Sequence, residues 1–588
     1  MNVELQRARR RQMLVFLLLC AGMLGLLGRL YYWQVLQGPR LARLANDEHV
    51  KSQGLQAARG LIYDVHGHVL ATNVIRDDVY IEPKQFVLDH ENDSSTQTHD
   101  AMMSLVLALH QVIPDVSEDD LVKKFNADVW TYRVNNAPIE PSQSEQLRKL
   151  QLTDVFLQPR TVRVYPGGDL ASQVLGYVTD DNTGLYGIEG QYNKLLAGKP
   201  GSITAETDLN GNPLTVGASS GQAPVPGANI TLTIDSAIQY LVQTELVSTI
   251  QKVQAKSGSV IVLNAKTGAV VAMAGAPDFD PNHYGNYADQ KGCNDSVSVY
   301  LNPALYCDYE PGSTMKSVTM AAGLDQHLIT PDTSFVDNGT ITLGDAAPVS
   351  NWAYKNYGTE TMTQVLQHSA NVGAAYVAYN ILHSQGFYPY VERFGFGQPY
   401  NIDGPEQVGF YRTPDSKGWS TTDLTRQSFG QAIAASPFQM AMVYEAIANG
   451  GVMMNPYIVA SVNDNGHITT TQPTVRRRVI SAQAAHLLTG MLNSAANYNQ
   501  NATFTGYSIA VKTGTATTQG ISDNITEASM AGFVPASNPQ YVILVKLDQP
   551  STTLGGGFDI FGGVAAGPLW RGVAQQLMRY YDVPPDQA

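Results

Sequence analysis

The chain carries three short segments, far apart in sequence, whose side chains suit a single piece of chemistry. They are Ser313-Thr314-Met315-Lys316, Ser369-Ala370-Asn371 and Lys512-Thr513-Gly514-Thr515. Ser369 lies 56 positions after Ser313, and Lys512 lies 141 positions after Asn371. On a helix, Ser313 and Lys316 share a face. A neutral amine there can take the hydroxyl proton and leave an oxygen nucleophile. Pro311 and Gly312 mark a helix start, because the first turn does not need the N–H that proline lacks. A serine at that point lies among unpaired N–H groups, where the potential favours negative charge. Each segment also has an ordinary reading. Ser313 and Lys316 would suit an exposed helix face, and Ser369 and Asn371 are good helix caps. Lys512 would suit a strand end, and Thr515 a strand surface. Only a fold that draws all three segments to one cleft gives their order a purpose.

The surroundings of Lys512 read as sheet. Tyr507-Ser508-Ile509-Ala510-Val511 runs into it, and the runs 528–535 and 541–545 supply further strands. A second Lys-Thr-Gly, at Lys266-Thr267-Gly268, precedes Ser313. It sits between two apolar runs in 259–274 and reads as the turn of a hairpin, so no catalytic role is assigned to it.

The chain has 588 residues, enough for two to four domains, and 44% of them are hydrophobic. A net charge of −14 argues against a nucleic-acid partner. The His and Cys spacings suggest no metal site, and no cofactor is expected. His66 and His68 flank a glycine in a turn, and Gly555-Gly556-Gly557 reads as a flexible turn, lacking the Gly-Lys-Ser/Thr of a phosphate loop.

Location is read from the N-terminus. Arg7, Arg9, Arg10 and Arg11 precede the seventeen uncharged residues from Gln12 to Gly28, and Arg29 and the aromatic Tyr31-Tyr32-Trp33 come next. This pattern predicts an uncleaved anchor over 12–34, with residues 1–11 inside and the rest outside. A cleaved signal peptide is the rival, but no convincing small-x-small site lies beyond the apolar run. Residues 36–53 suggest a polar helical stalk. Residues 98–125 show helical spacing, with Met102, Leu105, Leu109 and Val112 on one core-facing stripe. Residues 198–227 are rich in Gly, Pro and Ser and read as loop and hinge. Cys293 and Cys307 lie on the outer side, fourteen positions apart. A disulfide and a pair of buried thiols both remain open.

The three segments, in this order, resemble the signature of the penicillin-binding proteins. The similarity extends upstream. Arg59-Gly60, Asp64, Gly67 and Leu70-Ala71 resemble the pedestal motifs of class B, monofunctional members, as do Arg163, Tyr165-Pro166 and Gly168, and Gly184 with Gly187-Ile188-Glu189. Asp64-Val65-His66-Gly67 departs from the family's Asp-Arg-Asn-Gly, which puts one arginine contact of the pedestal in doubt. The segments 231–235, 277–282, 302–304 and 429–439 resemble further landmarks of the transpeptidase domain.

The resemblance implies a multidomain α+β or α/β protein. Its transpeptidase fold would be an antiparallel sheet flanked by helices with an all-helical subregion, carried on an elongated pedestal and one transmembrane helix. The implied boundaries are a cytoplasmic tail (1–11), the anchor (12–34), a dimerisation-like pedestal (35–228) and the transpeptidase domain (229–588). It also implies the roles. Ser313 would be the nucleophile and Lys316 its base. Ser369 would pass the proton to the leaving amine, and Asn371 would hold Lys316 and the substrate amide. Lys512, Thr513, Gly514 and Thr515 would grip a terminal carboxylate. Backbone N–H groups of Ser313 and Thr515 would form the oxyanion hole. The implied substrates are peptidoglycan stem peptides ending in D-Ala-D-Ala, with β-lactams as mimics. A membrane glycan polymerase is the implied partner and the bacterial cytoplasmic membrane the implied location. The stretch 309–313 resembles the cell-division branch. The alternatives are an elongation enzyme and, in a different class, a non-catalytic penicillin-binding sensor or scaffold.

Overall fold

The structure is a computed structural model. It describes residues 2–41, 50–135, 137–206, 220–402, 406–517, 526–551 and 561–587. The glycine triple at 555–557 and the middle of the 198–227 segment lie outside the described residues. The chain divides into two compact units, 1–58 with 198–226, and 59–197 with 227–588.

The first unit contains the helix Asn2–Tyr31, which continues as a wider turn through Tyr32–Leu36. Within its stretch Gln6–Leu36 an 18-residue window has a mean hydropathy of 2.2 and no buried residue, as expected of a membrane-crossing segment. Of the expected helical stalk over 36–53, residues 42–49 lie outside the described residues and the described part is helical only at its start. Residues 38–41 are helical, but Val50–Leu55 is a strand, paired antiparallel with Gly201–Glu206. The reason is non-local: the ladder partner lies some 150 residues away, and local polarity carries no trace of it. Ser220–Gln222 completes this three-stranded sheet.

The second unit is built on a five-stranded antiparallel sheet. Its order is Val270–Ala276, Ser257–Asn264, Tyr541–Asp548, Thr526–Val534 and Ala510–Thr517. Alternation gives the sheet two apolar faces. Ile261, Leu263, Phe533 and Leu544 join one core with the helices Pro437–Ala448 and Ala482–Asn499. Val260, Val262, Val545 and Leu547 join another with Ser236–Val253 and Gly567–Tyr580. Every residue of Pro437–Ala448 is buried, so this helix is apolar all round rather than striped. Shorter helices complete a helical region on the first face. Ala510–Thr517 ends the sheet, leaving its outer backbone edge for other partners.

Gly268 turns the 259–274 hairpin with φ +73°, as expected. The helical stripe in 98–125 is two helices, Ser95–Val112 and Glu118–Phe125, broken around Pro114, and its four apolar residues are buried. These helices pack on the long strand pair Val69–Ile81 and Val155–Val164.

Below them, Glu189 sits fully buried between two guanidiniums. Arg59 Nε donates to its Oε2 and Arg163 Nε to its Oε1, each at 2.7 Å. The departed turn at 64–67 is held in another way. Asp64 accepts from His66 N (2.9 Å), His68 N (2.8 Å) and Ser236 Oγ (2.6 Å). Burial works against its charge, but these bonds prevail and bring the carboxyl down to about 2. His66 Nε2 lies 3.0 Å from Asp235, which caps the helix Ser236–Val253 and accepts from Tyr581 Oη.

Candidate active site

The Ser313 segment is placed from both sides. Gly312–Met315 forms a tight 3₁₀ turn that runs into the helix Lys316–Asp325. The chain before it is stitched to the segment 430–435. Tyr309 and Ala435 exchange both backbone bonds at 3.0 Å, Ala432 N donates to Glu310 Oε1 (2.9 Å), and Gly312 N donates to Gly430 O (3.0 Å). Residues 429–435 therefore form this brace, and the core helix starts only at Pro437. Gly312 has φ +54°, and a Cβ there would lie 2.6 Å from Thr515 O. Glycine thus lets the Ser313 turn close onto the edge of the Lys512 strand.

The helix puts Lys316 one turn below Ser313, with its Nζ 2.9 Å from Ser313 Oγ. The amine also meets Ser369 O (2.5 Å), Asn371 Oδ1 (2.8 Å) and, at 3.3 Å, Ser369 Oγ. A neutral amine has two N–H donors and one lone pair. The donors satisfy the Ser369 carbonyl and the Asn371 amide, which leaves the lone pair to receive the Ser313 proton. Lys316 is fully buried. Burial, and then the charge of Lys512, hold its pKa well below the ordinary lysine range, while Glu360 pulls the other way.

Ser369 and Asn371 are placed by a junction between two helices, Met362–His368 and Asn371–Tyr376. Ser369 turns the chain in the left-handed region (φ +56°), a conformation a serine holds only at a cost. That turn aims both its carbonyl and its hydroxyl at Lys316. Asn371 Nδ2 donates to Ser350 O (3.1 Å), which fixes the amide with its oxygen toward the amine.

The sheet brings the third segment. Lys512 Nζ donates to Ser369 Oγ (2.8 Å) and to Thr513 O (3.2 Å). It is buried, which brings it down to about 7. Thr515 Oγ1 accepts from Gly562 N (3.0 Å). A Cβ on Gly514 would lie 2.7 Å from Pro311 O, so this glycine too is required for the strand to lie against the Ser313 turn.

Ser313, Lys316, Ser369, Asn371 and Lys512 thus form one connected hydrogen-bonded cluster, with Thr513, Gly514 and Thr515 along its rim. Lys266 lies on the hairpin turn, and its backbone N–H donates to Asn264 Oδ1. Sequence reasoning missed Ser350, which acts through its carbonyl, and Glu360, which reads as one polar residue in a short strand. Cys293 and Cys307, the latter six residues before Ser313, are joined in a disulfide with a Cα separation of 6.2 Å, so the bonded alternative is the one found. Among the described residues no group of His, Cys, Asp and Glu is arranged to hold a metal.

Residues 258–573 match the model of the penicillin binding protein transpeptidase domain, and residues 55–232 that of the penicillin-binding protein dimerisation domain. The chain is 29% identical to stage V sporulation protein D of Bacillus subtilis, over 98% of this chain and 86% of that one. It is 27% identical to peptidoglycan D,D-transpeptidase FtsI of Escherichia coli K12, over 97% and 92%. The crystal structure of penicillin binding protein 3 from Mycobacterium tuberculosis, complexed with aztreonam, superposes with a TM-score of 0.67 at 25% identity, covering 91% of this chain and 98% of that one. A transpeptidase domain over more than half of the sequence, preceded by the dimerisation domain, places this chain in the family of class B penicillin-binding proteins.

Proposed function

We propose that this protein is a serine D,D-transpeptidase that cross-links peptidoglycan stem peptides, acting in septal wall synthesis. The observation that carries the reading is the Lys316 amine, buried and 2.9 Å from Ser313 Oγ with both its hydrogens already engaged. Ser313 Oγ attacks the carbonyl of the penultimate D-Ala, and its proton passes to Lys316. The carbonyl oxygen takes up negative charge against the backbone N–H groups of Ser313 and Thr515; each such donor contributes about 3–4 kcal/mol in comparable sites. The C–N bond breaks as Ser369 hands its proton to the departing D-Ala amine and takes the proton held by Lys316 in its place. Lys512 polarises Ser369 and, with Thr513 and Thr515, draws in the terminal carboxylate. An amine from a second stem then attacks the Ser313 ester, forms the cross-link and returns the serine proton. A β-lactam acylates Ser313 in the same way but lacks a leaving group that departs.

Residues 1–11 lie on the cytoplasmic side, 12–34 cross the membrane, 35–228 form the pedestal and 229–588 the catalytic domain. The anchor and pedestal dock a membrane glycan polymerase, and the basic cluster before the span supports this orientation. The relative named as a D,D-transpeptidase, similar over almost the whole chain, supports the activity.

Labelling with a fluorescent penicillin tests the site. Wild-type protein should label and Ser313→Ala should not, while unfolding at the same temperature. A folded Ser313→Ala that still labels would refute the assignment. Fluorescence microscopy tests the location, since a side-wall pattern in dividing cells would reject the septal role.

A further inference from the structure

The residue just before Ser369 leads to an acid that the chemistry above does not use. His368 Nδ1 lies 2.9 Å from Glu360 Oε2, and the Glu360 side chain is 1% exposed. Glu360 sits on the strand Gly358–Thr361, paired antiparallel with Ser334–Asp337. The register sets Asp337 two places along on the same inward face. The Asp337 carboxylate already accepts two N–H groups, from Gly339 N and Asn351 Nδ2, each at 2.7 Å. Both Asp337 carboxylate oxygens therefore have N–H partners. Glu360 Oε1 meets no N–H or O–H donor among the described residues. A proton on Glu360, shared with Asp337, resolves both facts. Burial first, and then Asp337, push Glu360 up to about 8.

The surrounding groups fit this state. Burial and Lys355 hold His368 below its usual value, which favours the uncharged ring beside Glu360. Tyr357 stacks on its ring at 4.3 Å and Tyr498 meets it edge-on at 5.3 Å. From the third side comes Lys316, whose charge favours an ionised Glu360, as a charged Glu360 favours the ammonium. The cluster is also tied to the Asn371 helix, because Asn351 Oδ1 accepts from Val372 N (3.1 Å).

We propose that Glu360 is a positioning residue for acyl transfer at Ser313: the buried Glu360–Asp337–His368 cluster gives up a proton as Lys316 gains one, so that a new carboxylate faces the new ammonium. This rests on Ser313 and Lys316 as nucleophile and base. The proton on Lys316 is the one from Ser313. The proton of Glu360 goes to solvent past the partly exposed His368 ring. It returns when the Lys316 proton passes to Ser369 as the amine departs.

The test is the rate of acylation by a fluorescent penicillin as a function of pH. Glu360→Gln freezes the uncharged form in the same shape. Glu360→Leu does so with no polar atom to satisfy, so whichever variant keeps the wild-type unfolding transition is read. Without a carboxylate to favour its ammonium, Lys316 stays neutral to lower pH. The acid limb should move down by about half a pH unit or more, and the plateau should fall. Glu360→Asp should return the limb toward wild type. A reduced plateau with an unmoved limb would mean a purely structural role and overturn the proposal. If the wild-type protein itself is not acylated at Ser313, the parent reading fails instead, and the two failures are distinguishable.

Discussion

Two buried charged clusters in this protein solve opposite problems. In the pedestal, Arg59 and Arg163 close on Glu189 with short charge-assisted bonds, and Arg163 Nη1 donates further to Gly60 O (2.8 Å). In the catalytic region, the amines of Lys316 and Lys512 are equally buried, yet they are met by hydroxyl, amide and carbonyl oxygens. The first arrangement sets opposite charges in direct contact. The second makes the charge costly, and the cheapest escape is a neutral amine. The same desolvation that would only destabilise an idle lysine lowers the pKa of the amine beside Ser313, as the proposed base role requires.

Replacing Lys316 by Met should separate these effects most sharply. Acylation should fall by about a thousandfold or more, since the serine loses its base. Stability should rise by about 1–3 kcal/mol at neutral pH, because a buried amine is replaced by an apolar chain of similar length. The sign comes from linkage. Both lysines titrate lower in the folded than in the unfolded chain, so the unfolded state binds more protons between the two values. For Lys512 that window runs from about 7 to the ordinary lysine value of 10.5, and stability falls as pH drops through it. Thermal unfolding of the variant across this window checks the claim, and a loss of stability would break the contrast.

Glu189→Gln should do the reverse. Two guanidiniums would lose their counter-charge in a buried site, at a cost of about 3–5 kcal/mol. Acylation per folded molecule should stay unchanged. Denaturant unfolding combined with active-site titration reads both quantities. A stable Glu189→Gln with impaired acylation would mean the pedestal cluster takes part in the chemistry after all.

Much of the site was legible because its residues occur in short local patterns. Ser313 and Lys316 are neighbours on any helix, and the Lys512 strand announces itself by its apolar run. Ser369 and Asn371 were legible only as part of the set, since each alone suits a helix cap, and Ser369 does lie at a helix end. What escaped depends on contacts that no local pattern encodes. Glu360 reads as a surface residue in Gly358-Thr359-Glu360-Thr361 until its strand pairs with Ser334–Asp337. Ser350 contributes a carbonyl, which every residue has. Val50–Leu55 became a strand because a distant segment offered it a ladder. Cys293 and Cys307 could not be paired until the chain between them folded back.

The central claim is that Lys316 is an uncharged amine at physiological pH, poised beside Ser313. The pH dependence of penicillin acylation in the wild-type protein tests it directly. The acid limb should lie well below the ordinary lysine value of 10.5. A rate that kept climbing tenfold per pH unit through pH ~8–10, as expected of an ordinary lysine, would contradict it.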